Sequence, residues 1–297
     1  MGIVYKAYDT VRGAIVAVKV LRTERDLIPA ERRRFRREAA ALLAVDHPNL
    51  VQPLALLTDS PRPALEMEYV RGESLHARLA REGLLDTGLA CRLCADAAAG
   101  LGAAHERGLV HRDVKPANIM VEAETARGRL LDFGVVKILE DQTGVTSTGQ
   151  LVGTLDTMAP EQLEGGGVSP ATDVYALGVV LFRCLTGRLP YEAKTRTSLL
   201  YEIVHGEPPD LKAYTDLIPE PVRLVLLRCL ARDPAERFAA GDDLHEALSS
   251  AAADAGIAVS ARSVSGSGRR RLRRWSLVFS AAVLALLSAA FGTRLFR

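Results

Sequence analysis

Hydrophobic and polar positions change their period along this chain, and the changes mark its parts. From Ala14 to Val20 the pattern is that of a strand, with Val16, Val18 and Val20 on one face and Ile15, Ala17 and Lys19 on the other. Over residues 30–44 the period turns helical. Phe35, Glu38 and Leu42, spaced three and four apart, share the inward face, while Arg32, Arg33, Arg36 and Arg37 are solvated. Ala64 to Gly72 predicts a second strand running into a linker. Residues 86–107 predict a helix capped by Asp86, with Leu89, Leu93, Ala97 and Leu101 as its buried stripe. From residue 249 to Gly268, Ser, Ala and Gly dominate without an amphipathic period, which predicts a flexible linker. Arginines crowd residues 269–274, and residues 275–293 then carry no charge. That is close to the ~20 residues needed to cross a bilayer core.

Composition adds limits. The chain has 297 residues, is 48% hydrophobic and 25% charged, and suits a globular protein with a substantial core. A net charge of +2 gives no argument for nucleic acid as a partner. Abundant alanine and a preference for arginine over lysine point to a GC-rich, bacterial genome. Cys91 and Cys94 lie three apart on a helix, and Cys184 and Cys229 are isolated in apolar helices. With no second ligand pair nearby, they read as buried free thiols rather than a metal site. No signal peptide is expected ahead of the first strand.

The chemistry is concentrated in His111-Arg112-Asp113-Val114-Lys115-Pro116-Ala117-Asn118-Ile119-Met120, followed by Asp132-Phe133-Gly134 at a spacing that fits a short hairpin. A carboxylate, an ammonium two residues on and an amide three beyond it form a phosphoryl-transfer set. Asp113 can orient a hydroxyl and accept its proton, and Lys115 can balance charge on the moving group. Asn118 and Asp132 offer hard oxygen ligands for Mg2+, with Mn2+ as a substitute. Lys19 on a strand face beside the small Ala17 is either a snorkelling edge lysine or a phosphate grip. Glu38, the one charge on its helix's inward face, needs a cationic partner or forms a surface pair with Arg34.

This ordered series resembles the catalytic core of bacterial eukaryotic-type Ser/Thr protein kinases, over roughly residues 1–248. The resemblance implies an α+β bilobal fold with ATP in the cleft: a small β-rich N-lobe at 1–66, and a hinge with a helical C-lobe at 67–248. It pairs Lys19 with Glu38, so that Lys19 grips the α- and β-phosphates, and places Gly2, Val4 and Ala17 over the nucleotide. Met67 lies at the back of the adenine pocket, the backbone of Glu68 and Val70 bonds the base, and Met120 lines the cofactor site. Gly2 matches the last glycine of the phosphate loop, so the first strand and first two glycines are expected to be missing. An upstream start codon would restore them; a genuine truncation would weaken nucleotide binding.

The resemblance also assigns supporting roles. The stretch from Asp132 to Ala159-Pro160-Glu161 becomes an activation segment, with Thr146 and Thr148 as phosphosites for Arg112. Thr154 bonds the catalytic aspartate and lysine. With Lys115 in place of arginine, it argues for Ser/Thr substrates. Asp173 ties down the catalytic loop, Glu161 and Arg237 form a buried ion pair, and His111 packs near Phe133 and is not a base. With the basic juxtamembrane run 269–274, a transmembrane helix 275–293 and a short tail 294–297, the chain reads as a single-pass protein of the bacterial inner (plasma) membrane, its kinase domain in the cytoplasm. Protein substrates are the expected partners, with self-association through the apolar segment for trans-autophosphorylation. The rival readings are a pseudokinase scaffold, suggested by the incomplete glycine loop, and a small-molecule phosphotransferase, which the Ala-Pro-Glu segment disfavours.

Overall fold

The computed structural model describes residues 3–20, 40–41, 43–57, 64–131, 155–207 and 209–257. The chain divides into two compact units, Met1–Ser263 and Val264–Arg297, the second wholly beyond the described residues. Several expectations therefore lie outside them: Gly2, Glu38 and most of its helix, Asp132 and Phe133, the Thr146 and Thr148 phosphosites, Thr154, and the basic and apolar segments at 269–293. Among the described residues, no helix is long and apolar enough to cross a membrane.

The N-terminal part is a four-stranded antiparallel sheet of β1 (Ile3–Asp9), β2 (Ala14–Val20), β3 (Pro53–Leu57) and β4 (Ala64–Glu68), in the order β1-β2-β4-β3. Its register puts Lys19 between Val4 and Leu65, and Ala17 between Lys6 and Met67. Directly opposed residues share a face. Val4, Ala17, Lys19 and Met67 therefore all line one side of the sheet.

After the hinge, β5 (Gly72–Ser74), β6 (Ile119–Glu122) and β7 (Gly128–Leu130) form a second, smaller sheet. The β6–β7 pair is the short hairpin that the spacing predicts. The β5 strand sits where a linker was expected, and pairs with residues 120–122 from far along the chain. Among the described residues, the α-helices after β5 are α1 (Leu75–Glu82), α2 (Thr87–His105), α3 (Pro160–Leu163), α4 (Pro170–Thr186), α5 (Arg196–His205), α6 (Glu220–Cys229) and α7 (Gly241–Asp254).

Asp86 caps α2 by accepting the Gly88 and Leu89 N–H groups at 3.0 and 3.2 Å. That helix is not the one-striped helix the sequence predicts. Ala90, Cys91, Cys94 and Ala98 are buried with Leu93, Ala97 and Leu101, because α2 packs against α4, α7 and β7 together. The α7 helix also corrects the linker boundary. It runs through residue 249 to Asp254, and Ala251 and Ala252 are buried in the core. Small alanines read as linker by composition, yet they are what a close helix contact requires. All four cysteines are free and buried, and burial pushes the Cys91 and Cys229 thiols up to about 12, so both stay protonated at neutral pH. The neighbouring Cys184 and burial together raise the Cys94 thiol well above its ordinary value.

Candidate active site

Asp113 lies on an irregular segment between α2 and β6, which a single 3₁₀ turn, Pro116–Asn118, closes. Pro116 starts the turn with its fixed φ, and the Asn118 N–H donates to Lys115 O at 2.9 Å. The turn folds Asn118 back over Asp113. The Asn118 Nδ2 donates to Asp113 O at 2.8 Å and to Asp113 Oδ2 at 3.2 Å. Lys115 Nζ sits 2.8 Å from the same Oδ2. The carboxylate, the ammonium and the amide spaced through the sequence thus meet at one oxygen. Both Lys115 and Asn118 are buried, which fixes their geometry and strengthens the charge contact. A recess beside Asp113 is lined by Arg112, Thr157, Met158 and Gln162.

The loop is held from below. Asp173, in the first turn of α4, is 1% exposed. It accepts the His111 N–H at 2.7 Å and the Arg112 N–H at 2.8 Å. His111 is fully buried; its Nε2 lies 2.7 Å from Leu131 O, and its Nδ1 accepts the Asp113 N–H at 3.2 Å. Those bonds define a neutral tautomer with both nitrogens engaged, which makes His111 a strut rather than a base. The Glu161–Arg237 pair is bidentate at 2.8 and 3.0 Å. Burial alone would raise the Glu161 carboxyl, but Arg237 and the Thr172 hydroxyl hold it below its ordinary value.

Val51, Met67 and Val70 form a buried apolar cluster, with Ala17, Leu65, Met120 and Leu131 packed against it. Residues from both sheets and the hinge therefore meet in one apolar cluster. Among the described residues, the Val70 N–H has no protein hydrogen-bond partner.

The structure also contains site residues that sequence reasoning missed. The His105 Nε2 approaches Asp173 Oδ2 at 3.0 Å, and its Nδ1 accepts the Gly241 N–H at 3.1 Å. Gln162 donates to Arg112 O at 3.4 Å. Thr172 donates its hydroxyl to Glu161 at 2.8 Å; its place three residues after Ser169, in a capping pattern, was the one local signal available.

Comparison with known proteins decides the family: the protein kinase domain matches residues 1–249. The chain belongs to the protein kinase family. This kinase domain is 32% identical over 251 residues to the serine/threonine-protein kinase PrkC of Bacillus subtilis, covering 84% of the chain and 38% of PrkC. It is 37% identical over 227 residues to PknB of Mycobacterium leprae, covering 75% of the chain and 36% of that protein. It is 36% identical over 284 residues to PksC of Streptomyces coelicolor, covering 90% and 50%. The chain thus spans at most half the length of these relatives. Among solved structures, Rad53 1–466 in complex with AMP-PNP superposes with a TM-score of 0.68 at 25% identity, over 83% of this chain and 62% of that one.

Proposed function

We propose that the chain is a serine/threonine protein kinase that transfers the γ-phosphoryl group of ATP to protein hydroxyls. The observation that carries the proposal is the convergence of Lys115 and Asn118 on Asp113 Oδ2. In this reading Asp113 orients the acceptor hydroxyl and takes its proton. Lys115 balances the charge that develops on the transferred group, and Lys19 holds the α- and β-phosphates. The names of PrkC, PknB and PksC support Ser/Thr specificity, as do Lys115 and Thr154.

The residues present fit the implied cofactors. The bonds from Nδ2 leave Asn118 Oδ1 as a hard acceptor, which with Asp132 makes a donor set suited to Mg2+. The apolar cluster of Ala17, Val51, Met67, Val70 and Met120 offers a surface that suits a flat purine, and the Val70 N–H is the donor for it. AMP-PNP in the Rad53 complex supports ATP as the nucleotide. Bound Mg2+ would neutralise phosphate charge, and in this reading the rest of the catalysis is positioning by side chains.

Finer features belong to the same proposal: regulation by phosphate on Thr146 or Thr148, and single-pass membrane anchorage through 275–293 with the kinase domain in the cytoplasm. The decisive experiment is Asp113→Asn. It should lower kcat by about 10²–10⁴-fold while ATP binding survives. Equal turnover in the variant would refute the assignment.

A further inference from the structure

Arg129, which no part of the reaction claims, sits on β7 and reaches the end of β4. Its Nη1 donates to Glu68 Oε2 at 3.0 Å. Its Nη2 donates both to Glu68 Oε1 and to Leu50 O, the latter at 2.7 Å. Glu68 is the last residue of β4, and strand alternation puts its side chain on the face opposite Met67. The carboxylate has a second tie. It accepts the Gln52 N–H at 2.7 Å, while the Glu68 N–H donates to Gln52 O at 3.0 Å. Backbone and side chain of Glu68 are thus both fastened to Gln52, which fixes its peptide plane. The intervening strip is itself docked on β7. Leu130 N–H donates to Asn49 O at 2.8 Å, Val51 N–H to Leu130 O at 2.9 Å, and Asn49 Nδ2 to Gly128 O at 3.0 Å.

The network joins the two sheets at the point where the chain passes between them. The covalent link is residues 69–71, and the clamp lies beside it. The Arg129 side chain is 14% exposed and that of Glu68 32%, so the pair is more shielded than a surface ion pair. A guanidinium fork matches a carboxylate with two parallel bonds and still has a hydrogen for Leu50 O, which a lysine could not reproduce. The hinge edge offered to a base begins at Glu68 and ends at Val70. A shift of about 0.5 Å there would take its hydrogen bonds out of good geometry.

We propose that Arg129 is a positioning residue for the nucleotide: through the Glu68 carboxylate it sets the hinge peptides at the spacing that adenine requires. This rests on the kinase reading above. Arg129 touches no substrate atom, and its effect falls on nucleotide affinity rather than on phosphoryl transfer.

The test uses the full chain and four variants: Arg129→Met, Arg129→Lys, Glu68→Gln and the Arg129→Met/Glu68→Gln pair. Removing either charge should raise the KM for ATP by about tenfold with kcat and the KM for the protein substrate within about twofold. Arg129→Lys should recover part of the loss, and the double variant should be no worse than the worse single one. Should Arg129→Met fail to fold, Glu68→Gln and Arg129→Lys carry the same expectation. An unchanged ATP KM in the folded variants overturns the proposal, as does a fall in kcat that matches the rise in KM. Titration with AMP-PNP and Mg2+ separates the two readings. A wild-type chain that transfers no phosphate sinks the kinase assignment, whereas the clamp stands or falls on whether Glu68→Gln weakens AMP-PNP binding.

Discussion

Asp173 accepts the backbone N–H of Arg112 at 2.8 Å, and Arg112 is held there in the left-handed region at φ 65°. A side chain in that region costs on the order of 1–3 kcal/mol. The second Asp173 oxygen takes the His111 N–H and faces the His105 ring, so one buried carboxylate secures the strained turn on both sides. The turn delivers Asp113 to Lys115 and Asn118. Strain at Arg112 is therefore offset at Asp173, and the geometry around Asp113 depends on that offset.

Replacing Asp173 by asparagine keeps the shape but leaves one oxygen to accept where two did. Stability should fall by about 1.5–3 kcal/mol, the range for charged hydrogen bonds. In the folded fraction kcat should drop while the KM for ATP holds, since Met67 and Val70 are untouched. Thermal melting and steady-state kinetics check both halves. A variant with wild-type kcat would show that the loop keeps its form without the carboxylate.

The Glu161–Arg237 pair gives a pH signature. The folded-state carboxyl lies below its ordinary 4.5, so the stability it contributes is fully present above that value. It is lost as pH falls through the lower, folded-state value. Denaturant titrations should show stability declining below about pH 4.5 in the native chain and a flatter decline in Glu161→Gln. At neutral pH the variant should lose about 3–5 kcal/mol, because Arg237 is left buried without its partner. Equal slopes for the two proteins would place the acid sensitivity elsewhere.

Much of this was written locally in the sequence. The strand at 14–20 shows its period, Asp86 announces α2, and Asp113, Lys115 and Asn118 meet because one short turn spans them. Contacts between distant segments left no such mark. Arg129 and Glu68 are 61 positions apart, and His105 and Asp173 are 68 apart. A lone arginine on a strand or a histidine at a helix end reads as an ordinary surface or helix-terminal residue. The approach of α7 to α2 was equally hidden. A Cβ on Gly241 would lie 2.4 Å from both Ala98 O and Gly102 N, so glycine alone permits that contact. In one sequence Gly241 looks like a helix start and nothing more.

Phosphorylation at Thr146 or Thr148 should activate the enzyme. Each phosphate would carry close to two negative charges and present acceptors to the Arg112 guanidinium. After incubation with Mg2+ and ATP, mass spectrometry should place phosphate between residues 143 and 148. A Thr146→Ala/Thr148→Ala chain should lose most of its activity toward protein substrates. Full activity in that chain would remove the activation mechanism and leave the catalytic assignment intact. Thr154 should behave differently, its replacement harming turnover whatever the phosphorylation state.

The last prediction concerns the membrane. Residues 275–293 supply an uncharged stretch of about the length that crosses a bilayer core, and Trp275 suits the interface. Its shortness favours a span with little tilt. The arginines of 269–274 should stay on the cytoplasmic side and draw anionic lipid at about 1 kcal/mol per charge. Ser276, Ser280 and Ser288, with alanines between them, would allow a second copy to approach closely, bringing two activation segments together for trans-phosphorylation. The full chain should resist alkaline carbonate extraction. A chain ending at residue 268 should fractionate as soluble and phosphorylate itself more slowly at equal concentration, since the anchor no longer confines it to two dimensions. Release of the full chain by carbonate would rule out a span and favour a peripheral helix. Equal autophosphorylation rates with and without the segment would separate anchorage from self-association, leaving the first in place and ending the case for the second.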